Sequence, residues 1–228
     1  QTIFLGGGTP SLFSYGEVCQ ILDATKNYFC IAKNAEITME ENPGTTEHDS
    51  PKGYLDAGIT RLSIGAQSFS DDSLKSLGRI HSSKDISRAF LSAKEAGFKN
   101  INIDLMYGLP NQTLSAAMSD LKKTVEFRPA HISWYQLTLE PKTLFHAKPP
   151  NGLPDDEVIS DIQENGQKLL ESFGYKQYEV SAYAKGKNRC QHNLNYWSFG
   201  DYIAIGAGAH GKITISSTMG AGVFVEDA

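Results

Sequence analysis

The sequence predicts an α/β protein, a partial parallel (β/α) barrel, on three observations. Short apolar runs alternate with longer amphipathic stretches along the chain. Helical stretches stop on a glycine followed at once by an apolar or aromatic residue, as in Ala57-Gly58-Ile59, Ala96-Gly97-Phe98 and Phe173-Gly174-Tyr175; this is the left-handed stop that an αβ loop needs. Polar and glycine-rich groups follow the strand candidates, where a barrel gathers its ligand groups.

In order, the strand candidates are residues 3–5, 36–39, 61–64, 100–105, 132–137 and 176–180. The helical candidates between them are residues 17–28 (apolar at Val18, Ile21 and Leu22), 72–77, 84–96, 114–127 and 155–173. Strands separated by helices of this length pair in parallel. A chain of 228 residues, 40% of them hydrophobic, fits one core, so residues 1–212 are read as a barrel with its C-terminal extension. Residues 213–228 are small and polar in part (Ser216-Ser217-Thr218-Met219-Gly220-Ala221-Gly222) and are expected to be a poorly anchored tail. Gln1 is followed at once by strand-like Thr2-Ile3-Phe4-Leu5, so sequence upstream is expected and the chain is read as a fragment.

Composition narrows the function. The net charge is −5 with both signs scattered; without a basic stripe, nucleic acid is not expected as a partner. No apolar run approaches the roughly 18 residues that span a bilayer, and no signal sequence is visible, which reads as cytoplasmic. Cys19, Cys30 and Cys190 are far apart and odd in number, which argues against a disulfide framework.

Five consecutive strand tips carry chemistry. After the first comes Gly6-Gly7-Gly8-Thr9-Pro10-Ser11; after the second, Glu40-Glu41-Asn42-Pro43; after the third, Gly65-Ala66-Gln67-Ser68. The fourth carries Asp104 and Tyr107-Gly108-Leu109-Pro110, and the fifth Tyr135, Gln136 and Glu140. In a parallel barrel these tips share one rim, so they predict a shared ligand site. The triple glycine lets a ligand approach the backbone. It is neither a G-x-G-x-x-G nor a Walker loop, and a phosphate-binding barrel remains an alternative use of it.

The run Phe4-Leu5-Gly6-Gly7-Gly8-Thr9-Pro10-Ser11 resembles a segment of the oxygen-independent coproporphyrinogen oxidase group of radical S-adenosylmethionine (SAM) proteins. So do Ile37-Thr38-Met39-Glu40-Glu41-Asn42-Pro43, Arg61-Leu62-Ser63-Ile64-Gly65-Ala66-Gln67-Ser68-Phe69 and Asn102-Ile103-Asp104-Leu105-Met106-Tyr107-Gly108-Leu109-Pro110. Within that group, Tyr135-Gln136-Leu137-Thr138-Leu139-Glu140-Pro141, Tyr178-Glu179-Val180-Ser181-Ala182-Tyr183-Ala184, Cys190-Gln191-His192-Asn193-Leu194-Asn195-Tyr196-Trp197 and Gly206-Ala207-Gly208-Ala209-His210-Gly211 resemble the heme-chaperone branch. The H-N-x-x-Y-W segment is absent from the decarboxylating oxidases, so the resemblance favours a chaperone that binds SAM and heme and delivers heme to acceptor proteins. A coproporphyrinogen oxidase of porphyrin biosynthesis is the alternative. Contact with a membrane is expected only peripherally, through the acceptor.

The resemblance implies residue roles. The backbone of Gly7, Gly8 and Thr9 would take the methionyl end of SAM, and Arg79 its carboxylate. Glu40, Gln67 and Asp104 would serve its ammonium and ribose hydroxyls. One cation, two anions and an amide complement a carboxylate, an ammonium and a diol. The resemblance also implies a C-x-x-x-C-x-x-C loop upstream of the glycine turn, whose thiolates hold a [4Fe–4S] cluster. No such spacing occurs here, so the radical SAM type is expected with its first strand and cluster loop missing, the C-terminal domain absent, no metal ligands in this chain and no catalysis by it alone. His192, Tyr196 and Trp197 put an imidazole beside two aromatics and are the candidate heme contacts, with Cys190 a second soft ligand and His210 a lesser candidate. His48, His81, His131 and His146 show no pairing pattern.

Overall fold

A computed structural model describes residues 1–44, 50–217 and 220–224, so His48 and parts of the expected tail lie outside the described residues. The chain forms two units, Gln1–Arg189 and Cys190–Ala228.

In the first unit, side-chain caps set where the helices begin. Ser14 and Glu17 close a capping box before α1 (Tyr15–Tyr28). Ser82 and Asp85 do the same before α4 (Ser83–Ala96). Ser70, Thr113 and Asp155 cap α3 (Asp71–Ser76), α5 (Leu114–Phe127) and α7 (Asp156–Ser172). Each cap satisfies an amide that the first turn leaves without a partner. Two helices that the sequence did not bound are α2 (Pro51–Ala57) and the short α6 (Leu144–Ala147). The expected glycine stops are observed, Gly58, Gly97 and Gly174 all having positive φ.

The strands are β1 (Thr2–Leu5), β2 (Glu36–Glu41), β3 (Arg61–Gln67), β4 (Asn100–Tyr107), β5 (His131–Gln136), β6 (Lys176–Gln177) and β7 (Ala182–Ala184). Their order is β1-β2-β3-β4-β5-β7-β6, and β1 to β5 pair in parallel. Strands β2, β3 and β4 run past their expected ends, so Glu40, Gln67 and Tyr107 lie in the strands rather than after them. The sixth strand, expected over residues 176–180, needs correction. Only Lys176–Gln177 is extended; the chain then turns back and β7 pairs antiparallel with both β5 and β6. Trp134 donates its N–H to the Ser181 carbonyl at 2.7 Å, tying that turn to β5. The parallel run therefore ends at β5.

Each central strand has two unlike faces. Met39, Leu62, Ile64, Ile103, Leu105, Ile132 and Trp134 join Val18, Leu22, Ile86, Phe90 and Leu121 of the helices in one core. The other face carries Thr38, Glu40, Arg61, Ser63, Asn102, Asp104, His131, Ser133 and Tyr135, which follow one another across the register. Alternation with period two produces both faces.

In the second unit, α8 (Gln191–Trp197) begins on Cys190. Strands β8 (Ile213–Ser217) and β9 (Gly220–Phe224) form an antiparallel hairpin in the stretch expected to be a loose tail. The alternation Ile213-Thr214-Ile215 suits a strand. Asp201 holds its start, its Oδ1 accepting the Thr214 N–H at 3.0 Å and hydroxyl at 2.7 Å.

Candidate functional site

The glycine turn after β1 and the tip of β2 are one structure. Glu40 Oε2 accepts the Gly7 N–H at 3.0 Å, so this amide, expected to face a ligand directly, is donated to a carboxylate. Gly6 has no room for a side chain: a Cβ there would meet the Phe4 ring at 2.6 Å and the Glu40 carboxyl carbon at 3.2 Å. Gly7 and Gly8 take φ of 72° and 53° and have open space where a Cβ would stand. Burial raises the Glu40 carboxyl above its ordinary value; the Gly7 N–H opposes the shift and the Asp104 charge adds to it.

Asp104 ends a hydrogen-bond chain with one direction. Asn102 Nδ2 donates to Asp104 Oδ1 and to Ser63 Oγ, both at 2.7 Å, and Ser63 Oγ donates to Asp104 Oδ2 at 3.1 Å. With its amide nitrogen spent on Asp104, Asn102 turns Oδ1 towards His131 Nδ1 (2.6 Å) and the Ser133 hydroxyl (3.2 Å). A flipped amide would set two acceptors against each other, so this orientation is fixed. His131 Nδ1 therefore carries the hydrogen, and Nε2 accepts the Tyr178 hydroxyl at 2.7 Å. Burial, and then the Arg61 charge, hold His131 well below its ordinary pKa, in the neutral form this chain requires. Burial raises Asp104, opposed by Asn102, Ser133, Arg61 and Ser63.

Gln67 reaches the rim through a bulge. The β3–β4 register shifts between Gly65 and Gln67, and Gln67 takes a left-handed φ of 68°, a conformation costly for a residue with a side chain and concentrated at functional sites. Its Oε1 accepts the Tyr135 hydroxyl at 2.8 Å. Burial raises the Tyr135 phenol, which also feels Asp104, Arg79 and Glu40. Four side chains from four segments thus act on one hydroxyl. Arg79, exposed after Gly78, is the cation among them. Thr9 closes the turn with its carbonyl, which accepts the Leu12 N–H at 3.0 Å.

Sequence reasoning missed Ser63, Asn102, His131, Ser133 and Tyr178. It also passed over His81, a buried histidine whose ring nitrogens lie 3.1 Å from Asn42 Oδ1 and 3.3 Å from the Ala66 carbonyl. His146 is exposed, its Nδ1 3.2 Å from the Leu139 carbonyl.

The heme candidates lie on α8. His192 and Tyr196, one turn apart, make an edge-on ring contact at 4.9 Å, and Tyr196 packs on Tyr202 at 4.5 Å. Tyr196 and Trp197 are about half exposed. Cys190, the second soft-ligand candidate, is buried at the start of the helix. His210 is exposed.

The cysteines do not fit an iron–sulfur cluster. Cys19 is half-buried in α1, Cys30 is exposed beyond it, and Cys190 belongs to the second unit. Among the described residues, no group of three or more His, Cys, Asp or Glu could hold a metal ion. No described helix is long and apolar enough to cross a membrane.

A run of five parallel strands with helices between them and polar groups at successive strand tips defines a protein of the partial (β/α) barrel class. The family model of the radical SAM superfamily matches residues 1–127, and the chain belongs to that superfamily. It is 55% identical over 214 residues to the heme chaperone HemW of Haemophilus influenzae and, equally, of Escherichia coli, covering 94% of this chain and 56% of each relative. The Bacillus subtilis HemW is 38% identical over 226 residues, 97% of this chain and 60% of the relative. The chain thus spans little more than half the length of these relatives. Among solved structures, E. coli coproporphyrinogen III oxidase (HemN), a radical SAM enzyme, superposes with a TM-score of 0.79 at 25% identity, over 92% of this chain and 52% of that one. An archaeal Elp3 from Methanocaldococcus infernus shares the fold, with a TM-score of 0.62 at 18% identity over 74% of this chain and 45% of that one.

Proposed function

We propose that this chain is the SAM-binding barrel and heme-contacting segment of a cytoplasmic heme chaperone, which delivers heme to acceptor proteins. The observation that carries this is the 55% identity to HemW along 94% of the chain. The likeness to HemN, at 25% identity, makes coproporphyrinogen oxidation the second reading.

The rim supports SAM as its ligand. Glu40 lies against the glycine turn and suits the ammonium group; Arg79 suits the carboxylate of the same methionyl end, beside the backbone of Gly7, Gly8 and Thr9. Asp104 and Gln67, on the neighbouring strands, suit the ribose hydroxyls. Bound SAM supplies a sulfonium whose carbon–sulfur bonds are its reactive ones. This chain's residues supply binding and orientation. No cluster-holding set is among the described ones.

The α8 face of His192 and Tyr196, with Trp197 beside it, supports heme contact by an imidazole flanked by aromatic surface. Hemin titration of the wild type and of His192→Ala, followed by the Soret band, tests this part. The variant is expected to shift the band and weaken binding; identical spectra and affinities would remove His192. Calorimetry tests the rim, where SAM is expected to bind and a sugar phosphate is not. Protoporphyrinogen formation from coproporphyrinogen by a SAM- and cluster-loaded full-length protein would favour the second reading.

A further inference from the structure

Of residues 75–85, all of them described, His81 alone is buried. Gly78, Arg79 and Ile80 just before it are exposed, so the segment that carries Arg79 rests on the sheet through this one side chain. At its other end the segment is closed by the stop of α3. Arg79 donates its N–H to the Leu74 carbonyl at 2.9 Å, and Gly78, at a φ of 70°, donates to the Lys75 carbonyl at 3.0 Å, the paired bonds of a glycine stop. The Arg79 backbone is therefore held from both sides, by α3 and by His81.

The His81 ring joins two strand tips of the rim. Its Nε2 lies 3.3 Å from the Ala66 carbonyl and its Nδ1 3.1 Å from Asn42 Oδ1. Ala66 stands in the bulge immediately before Gln67, and its carbonyl also takes the Ser68 N–H at 2.9 Å. Asn42 stands two residues after Glu40, and its N–H donates at 3.3 Å to the Ser11 hydroxyl, just past the glycine turn. Gly44 closes over the ring's stem, since a Cβ there would stand 3.4 Å from the His81 Cβ. A carbonyl only accepts, so Nε2 carries the hydrogen, whereas the Asn42 amide can meet Nδ1 with either end. Burial lowers the His81 pKa; the Ala66 carbonyl opposes the shift, the Arg79 charge adds to it and Asp85 opposes it.

We propose that His81 is a positioning residue for the ligand carboxylate: by bonding to Ala66 and Asn42 it fixes the segment of Arg79 against the tips that carry Gln67 and Glu40. The proposal rests on the reading of the rim as a SAM site. Arg79 is a long, exposed side chain, and its ordering opposes binding. A backbone already held at the right distance reduces that cost. A buried histidine bonded to backbone is commonly structural only, so the test must read the carboxylate contact itself.

The test is calorimetry on the 228-residue chain with SAM and with decarboxylated SAM, which lacks the carboxylate that Arg79 would meet. The wild type should prefer SAM, and Arg79→Ala should reduce that preference about tenfold or more, the range for a hydrogen bond between charged groups. His81→Leu should lose most of the same preference while its affinity for the decarboxylated ligand changes less than about twofold; damage to the fold would weaken both ligands alike. His81→Gln, whose Nε2 can donate to the Ala66 carbonyl, should restore the preference. Combined with Arg79→Ala, His81→Leu should cost no further preference. If His81→Leu does not fold, His81→Asn decides: it reaches Asn42 but not Ala66, and should lose the preference as well. The proposal alone is overturned if these variants keep the wild-type preference, if they weaken both ligands alike, if His81→Gln behaves as His81→Leu, or if the His81 and Arg79 losses add. A wild type that does not bind SAM, or binds both ligands alike, would overturn the reading of the rim and this proposal with it.

Discussion

Glu40 and Gly7 are joined by a 3.0 Å hydrogen bond between a strand-tip carboxylate and the amide of the turn beside it. The bond makes the acid responsible for the shape of the turn as well as for its charge, and Gly6 is needed so that the two can touch.

Glu40→Gln keeps the size of the side chain and removes its charge. On the proposed assignment to the SAM ammonium, it should weaken SAM binding about tenfold or more, the worth of a charge-assisted hydrogen bond. Calorimetry measures this, with circular dichroism as the check on folding. Burial raises the Glu40 pKa, so the wild-type affinity should fall with decreasing pH while ordinary surface carboxylates are still ionised. Glu40→Gln should flatten that dependence. An unchanged affinity in the variant would show that this carboxylate does not contact the ligand.

Its neighbour Glu41 has the opposite character. Residue 41 faces the apolar core side of β2, is 2% exposed, and neither carboxylate oxygen has a hydrogen-bond partner. Desolvation pushes its pKa to about 8. The folded state thus holds a proton that the unfolded chain releases near an ordinary pKa of about 4.3. Stability is full below that pH, declines as pH rises, and levels off above the folded value. At neutral pH the loss is on the order of 3 kcal/mol. Glu41→Leu should therefore be more stable than the wild type at pH 8–9, with the gap narrowing toward acid, as urea unfolding across that range would measure. A wild-type midpoint with the same pH slope as the variant would exclude a buried neutral Glu41.

Asn102 is the hub of the interior chain, bonded to Asp104, Ser63, His131 and Ser133. Asn102→Leu fills similar space but leaves several buried polar groups without a partner. It should cost about 2–4 kcal/mol, against about 1 kcal/mol for Ser133→Ala, which removes a terminal donor. Denaturant melts of the two variants give the comparison. Equal losses would mean that the chain is not cooperative.

The difference between Glu40 and Glu41 also shows how far the sequence could be read. Gly7, Glu40, Gln67 and Asp104 were legible as candidates because the end of an apolar run marks the approach to a strand tip, and five such tips in series predict a shared rim. Arg61, Ser63, Asn102, His131 and Ser133 lie inside strands, where the apolar residues between them draw attention to the core. Their period-two spacing, Arg61-x-Ser63, Asn102-x-Asp104 and His131-x-Ser133, was the available signal for a polar inner face. Tyr178 was beyond that signal, because it meets His131 only after the chain reverses between β6 and β7. The α8 helix is short, and its seven residues give too few turns for a periodicity to be read.

Gly166 is the residue at which helix propensity and packing disagree most. It lies within α7 and is buried, where glycine costs about 1 kcal/mol relative to alanine. On propensity alone Gly166→Ala should stabilise the protein. A Cβ at this position, however, would overlap the Trp134 ring of β5, and Trp134 is 2% exposed, packed on Tyr107 at 4.5 Å and Tyr183 at 6.3 Å. The ring cannot move without disturbing both neighbours, so overpacking should outweigh propensity and Gly166→Ala should lose about 1–3 kcal/mol. Trp134→Phe makes room at the same point. The double variant should then lose less than the sum of the two single losses, with a coupling of about 1 kcal/mol or more in a double-mutant cycle measured by urea unfolding. Additive losses would mean that α7 shifts freely over β5, and the close approach of Gly166 to Trp134 would not be what sets the distance between helix and sheet.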